Sequence, residues 1–223
     1  MPDRQPTRDH ALLTLSCLLT LGLTACGTKG SGVAGSEIRE VDAFEAVDVS
    51  GAFEVLVHVD PDAPQKVEVR GDDNIIAKVT TTVDDGELEI GVDGNMIRPE
   101  LPLTVEIWTP KLNAIEASGA NDIDVEGIRG ESFEVDVSGA SDTTLRGTVD
   151  SLEVGLSGAG EIAARELQAK SVEVDISGAG EAEVFASESL DADISGAGEV
   201  TYWGSPATVD KSIPGAGELK PGA

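Results

Sequence analysis

The stretch LSGAGEIAA at residues 156–164 returns as ISGAGEAEV at 176–184 and as ISGAGEVTY at 194–202. Earlier and looser copies are VSGAFE (49–54), ASGAND (117–122) and VSGASD (137–142), and IPGAGE (213–218) closes the series. From Gly119 onward the motif glycines fall at 119, 139, 158, 178, 196 and 215, a period of 18 to 20 residues. Between the copies, apolar and polar residues alternate, as in Phe133-Glu-Val135-Asp-Val137, Val172-Glu-Val174-Asp-Ile176 and Leu190-Asp-Ala192-Asp-Ile194. Alternation with period two marks strands, and no 3.6-residue pattern marks a helix.

Units this short cannot bury a face alone. Stacked in register they give continuous Val/Ile/Leu ladders down one interior. The expected fold is therefore all-β: a single-stranded parallel β-helix with coils of about 19 residues, expected to wind right-handed. A propeller blade needs about 40 residues, twice the period seen. Ser-Gly-Ala-Gly then reads as the corner of a coil. Glycine tolerates positive φ and close stacking, and serine bonds to backbone or to the serine of the next coil. Residues 116–221 hold the regular coils. Residues 38–115 keep the alternation without the tight period, and read as longer irregular coils or a sheet cap.

The chain of 223 residues is 40% hydrophobic but only 3% aromatic, so its core must be aliphatic. Its net charge of −27 sets it against nucleic acid and anionic surfaces. Basic proteins, cations or neutral surfaces remain as partners. Ala11–Leu23 is an uncharged apolar run behind Arg4 and Arg8, which reads as a secretory signal over 1–25. It ends in Leu23-Thr24-Ala25-Cys26, which resembles the lipobox of bacterial lipoproteins. That resemblance implies lipid on Cys26, anchoring at a membrane, and an outer-membrane destination where the cell has one, since Gly27 is not aspartate. Removing 1–25 takes away two arginines and two aspartates and leaves the charge at −27. Cys17 goes with the leader, so no disulfide remains. Residues 26–37, rich in Gly and Ser, read as a flexible tether, with the folded domain spanning 38–221.

Possible chemistry reduces to a few candidates. The six motif serines lack the G-x-S-x-G elbow, and His58 is the one histidine beyond the leader, so nucleophilic catalysis finds no partner set. The acid after each motif forms a candidate ladder of Asp122, Asp142, Glu161, Glu181 and Glu199, continued by Glu54 and Glu218. A second ladder precedes the serine at Asp48, Glu116, Asp136, Asp175 and Asp193, interrupted by Gly155. Either ladder is a solvated face or, with hard carboxylate oxygens, a place for Ca2+. Tyr202 and Trp203 are an end plug or a sugar-stacking site.

The lipobox, the serial S-G-[AS]-[GS]-[DE] turns and the opening Phe44-Glu-Ala-Val47-Asp-Val49-Ser-Gly resemble the GIN domain, described as the head of auto-transporter adhesins. The resemblance covers residues 44–218 and implies a β-helix at the cell envelope; it implies no activity. The expected function is non-catalytic: adhesion, scaffolding or ligand binding by a lipid-anchored envelope protein, with envelope proteins or polysaccharide as partners. The alternative is a polysaccharide-active or calcium-dependent carbohydrate-binding β-helix.

Overall fold

The computed structural model describes residues 27–94 and 96–223, so the leader and Cys26 lie outside the described residues. About 70% of the chain is strand, wound as a parallel solenoid of about five turns with coils of about 20 residues.

The regular coils are four long bent strands, β11 (Asp122–Gly139), β12 (Asp142–Gly158), β13 (Glu161–Gly178) and β14 (Glu181–Gly196). Each pairs in parallel with the next. Their motif serines and glycines stand in register: Ser138 over Ser118, then Ser157, Ser177 and Ser195, with the glycines beside them. Shorter strands β15 (Glu199–Gly204), β16 (Thr208–Ser212) and β17 (Glu218–Pro221) complete the far end. Inward positions form uninterrupted buried columns such as Ile115, Val135, Val154, Val174 and Ala192. Each buried Val, Ile or Leu contributes roughly 1.5–3 kcal/mol. The aliphatic core expected from composition is what fills the solenoid, with Phe44, Phe53 and Phe133 the buried aromatics.

The corners explain the motif. The carbonyl of Gly139 accepts the Ala159 N–H at 2.9 Å, and the carbonyl of Gly158 accepts the Ala179 N–H at 2.8 Å. Inter-coil bonding therefore continues around the turn without a break. Gly158 has φ +141°, and a Cβ on it would stand 2.9 Å from the Gly139 nitrogen and closer still to its carbonyl oxygen. The second glycine has a different task. A Cβ on Gly198 would meet the Ile176 side chain of the coil below, so its absence makes room for the core.

The irregular half joins the same stack. β3 (Ala46–Gly51) and β4 (Glu54–Val59) make a regular corner, and β10 (Ala114–Gly119) lies directly on β3 in register. Residues 60–113 are thus an excursion between two successive rungs. They comprise β5 (Lys66–Asp72), the one-turn α1 (Asp73–Ile76), β6 (Val79–Asp84), β7 (Glu87–Val92), β8 (Ile97–Arg98) and β9 (Thr104–Thr109). β7 and β9 extend the two walls downward in parallel; β6 then pairs antiparallel with β7 and ends that ladder, and β5 pairs antiparallel with β9.

The expected tether is a structured part of this cap. β1 (Thr28–Lys29) pairs with β8, and β2 (Ala34–Arg39) runs antiparallel to β5. Buried Asp72 ties the loop between β1 and β2 to the segment between β8 and β9: its carboxylate accepts N–H groups from Gly32 at 2.6 Å, Glu100 at 2.9 Å and Leu101 at 3.1 Å. Glycine and serine content indicated flexibility, but β5 offers an open edge whose backbone groups need partners.

Candidate functional site

Side chains alternate across a strand, so each wall presents every second residue to solvent. On the wall built from β6, β7, β3, β10 and the second halves of β11 to β14, three outward columns follow. The first carries Asp84, Glu87, Ala46, Ala114, Glu134, Glu153, Glu173, Asp191 and Asp210. The second carries Glu89, Asp48, Glu116, Asp136, Gly155, Asp175 and Asp193. The third is the motif serines from Ser50 to Ser195. None of these positions holds Lys, Arg or His.

Carboxylates on neighbouring rungs, about 4.8 Å apart, repel by roughly 0.8 kcal/mol in water. Burial and these neighbouring charges act in the same direction on the wall's carboxyls. Burial, then the charges of Glu116, Asp48 and Glu89, pushes the Glu87 carboxyl up. Burial followed by Glu89 does the same for Asp48, and burial followed by Glu153 and Asp136 for Glu134. Gly155 relieves one rung. A Cβ there would collide with the Asp136 carboxylate, which leans into the gap. Around it lies a shallow groove of about 410 Å³, floored by the serine and second acid columns.

The adjoining wall differs. The ladder expected from sequence forms as one column, Glu54, Asp122, Asp142, Glu161, Glu181, Glu199 and Glu218 in register. Cations interrupt its surroundings: Lys220 bonds to Glu199, and Arg146 binds Asp124 at 2.6 and 2.8 Å and Glu166 at 3.2 Å. The rungs keep these carboxylates in single file. Among the described residues, no group of three or more His, Cys, Asp or Glu is placed to hold a metal ion.

His58 sits on the outer face of β4, half-buried, as its alternation with Val57 and Val59 predicts. Its Nδ1 lies 2.5 Å from Glu126 and its Nε2 3.3 Å from Glu106. The ring stacks on Trp108 at 5.5 Å, and Lys66 caps the same indole at 4.4 Å. Both hydrogen-bond partners are carboxylates, and the motif serines occupy the other wall. Beneath this cluster Lys66 and Arg70 clasp Glu68, whose carboxyl their hydrogen bonds hold down at about 2. Sequence reasoning missed Trp108; its outward position in Leu103-Thr-Val105-Glu-Ile107-Trp108 was the available signal.

Tyr202 and Trp203 do not form a joint platform. Tyr202 packs toward the core, whereas Trp203 lies under the Arg165 guanidinium at 4.5 Å with Gly222 against its ring.

With the repeat, corners and walls in place, the family can be stated. Residues 43–206 match the family described as "Putative auto-transporter adhesin, head GIN domain". The chain belongs to this family. The match begins just before β3 and spans every long coil, as the resemblance in the turns implied. Solved structures agree. A "putative adhesin" from Bacteroides fragilis is 25% identical, with a TM-score of 0.71 over 87% of this chain and 100% of that one. A "putative adhesin" from Parabacteroides merdae is 19% identical, with a TM-score of 0.61 over 88% and 99%. A "Putative lipid binding protein" from Parabacteroides distasonis is 21% identical, with a TM-score of 0.59 over 87% and 99%. No curated protein matches. For this GIN domain the family gives an adhesin-type character. No helix among the described residues is long and apolar enough to cross a membrane.

Proposed function

We propose that this GIN domain is a non-catalytic adhesion protein of the cell envelope, held at a membrane by lipid on Cys26. The observation that carries the reading is the wall whose three outward columns hold no Lys, Arg or His and repeat serine and carboxylate positions on successive rungs of the sheet, with Ala46, Ala114 and Gly155 as the gaps. A surface of that kind makes many weak, identical contacts, and their sum gives avidity without a deep pocket. Its charge favours a basic protein surface or a cationic polymer. The family's adhesin character supports the same reading, as does the His58 arrangement, whose two hydrogen-bond partners leave no serine activated.

The test uses cells expressing the full chain, its Cys26→Ser variant, or neither. Cells with the full chain should adhere to polylysine-coated surfaces beyond the null strain. The Cys26→Ser variant should leave the membrane fraction and lose that gain. Adherence unchanged by deletion would refute adhesion, and a membrane-bound Cys26→Ser protein would refute the lipid anchor.

A further inference from the structure

The cap places an apolar, cation-flanked surface against the start of the described chain. Gly27 packs on Met96, and the Thr28 N–H donates to the Met96 carbonyl at 2.9 Å. The Gly30 N–H donates to the Arg98 carbonyl at 2.9 Å. The next residues are fastened too. The Ser31 hydroxyl donates to Asp73 at 2.5 Å, the Ser31 N–H to Asn74 at 2.9 Å, and Gly32 to buried Asp72. Cys26 is covalently next to Gly27, so no slack separates it from the cap.

Beside that point Met96 is 65% exposed. It borders an apolar crevice of about 330 Å³ lined with Ala52, Val92, Ile97 and Pro99. Lys29 and Arg98 face one another in register across β1 and β8, directly alongside. Lys29 shares its charge with Glu100 at 3.1 Å, and both pair members are largely exposed. In a chain of net charge −27, Lys29 and Arg98 are two cations side by side two positions along the strands from an exposed methionine, with Glu100 paired to one of them.

We infer that this end of the cap is a membrane-docking surface, seated on the same anionic bilayer that holds the acyl chains of Cys26. The inference rests on the lipid-anchor reading and adds orientation to it. Met96 and the crevice meet the acyl boundary, while Lys29 and Arg98 meet phosphate headgroups. The coils from β3 onward then lead away from the bilayer for roughly 30 Å, at one rung per 4.8 Å, and the acidic wall stands clear of like-charged lipid. A tether would let the solenoid tumble; the bonded cap fixes it.

The experiment uses processed full-length protein with a Met96→Cys substitution, labelled there with an environment-sensitive fluorophore. Ser195→Cys, on the far coil, is the control. With Cys17 removed and Cys26 acylated, each variant carries one free thiol. Intact mass reports the lipid on Cys26 separately. In phosphatidylglycerol–phosphatidylethanolamine vesicles, the label at 96 should shift to the blue and be quenched by nitroxide lipids, and the label at 195 should do neither. Adding Lys29→Glu and Arg98→Glu should weaken quenching at 96. Acylated protein whose two labels behave alike would overturn the docking alone. A mature chain without acyl mass would overturn the anchor reading and the docking with it.

Discussion

Replacing Gly158 with alanine tests the geometry of the corner. The residue sits at φ +141°, a region that L side chains rarely adopt, and the strain of holding alanine there is about 1–3 kcal/mol. The new methyl would also press on the Gly139 nitrogen and carbonyl oxygen, which are fixed backbone. The Gly139 carbonyl accepts the Ala159 N–H, so relieving the clash breaks an inter-coil bond with a net value of about 1 kcal/mol. The sum is about 3 kcal/mol, a large part of the 5–15 kcal/mol that holds a typical domain. For a chain this long that is a fall in Tm of roughly 6–12 °C. Thermal and urea unfolding of the purified protein read it directly. Ala159→Ser, at an exposed neighbouring position, should leave Tm within about 2 °C. If Gly158→Ala also stays within about 2 °C, stacking does not explain the motif, and its recurrence needs another cause.

Three further outcomes follow from the same contacts. Asp48, Glu87 and Glu134 have raised carboxyl values in the fold, so lowering the pH from 7 to about 5 should increase stability as the folded state takes up protons first. Glu68, held at about 2, works the other way: its contribution is present above the unfolded value of 4.5 and disappears as the pH falls toward 2, which urea midpoints across pH would show as a rise and then a fall. Asp72→Ala leaves the N–H groups of Gly32, Glu100 and Leu101 without their acceptor, and should reduce stability by about 3 kcal/mol while speeding hydrogen exchange in residues 28–33. Thr143→Val replaces a buried hydroxyl that has no partner with a methyl of similar shape, and should raise stability by about 1 kcal/mol in urea unfolding.

The coils were legible because stacking forces like residues onto like positions. Ser138, Ser157, Ser177 and Ser195 align in the sequence for the same reason that they align in space. The ladder from Asp122 to Glu199 was readable on the same ground. The excursion at 60–113 was not, because the pairing of β3 with β10 joins residues 68 positions apart and no local period announces it. The ordering of residues 28–39 was hidden as well. Gly-Ser composition describes an isolated chain, and here the neighbouring edge of β5 decides. His58, Trp108 and Lys66 come from three strands that meet only after the cap folds, so their cluster leaves no linear trace.

The claim most in need of measurement is that the cation-free wall, and not net charge alone, is the binding surface. Two variants of equal charge separate them. Glu134→Gln, Glu153→Gln and Glu173→Gln together neutralise three rungs of that wall, whereas Asp142→Asn, Glu161→Gln and Glu181→Gln neutralise three rungs of the adjoining one. Binding of each to a polylysine-coated sensor, followed against salt, is the assay. The account predicts that the first variant loses most of its binding and that the second stays close to the parent. Equal losses, or a greater loss in the second, would contradict it.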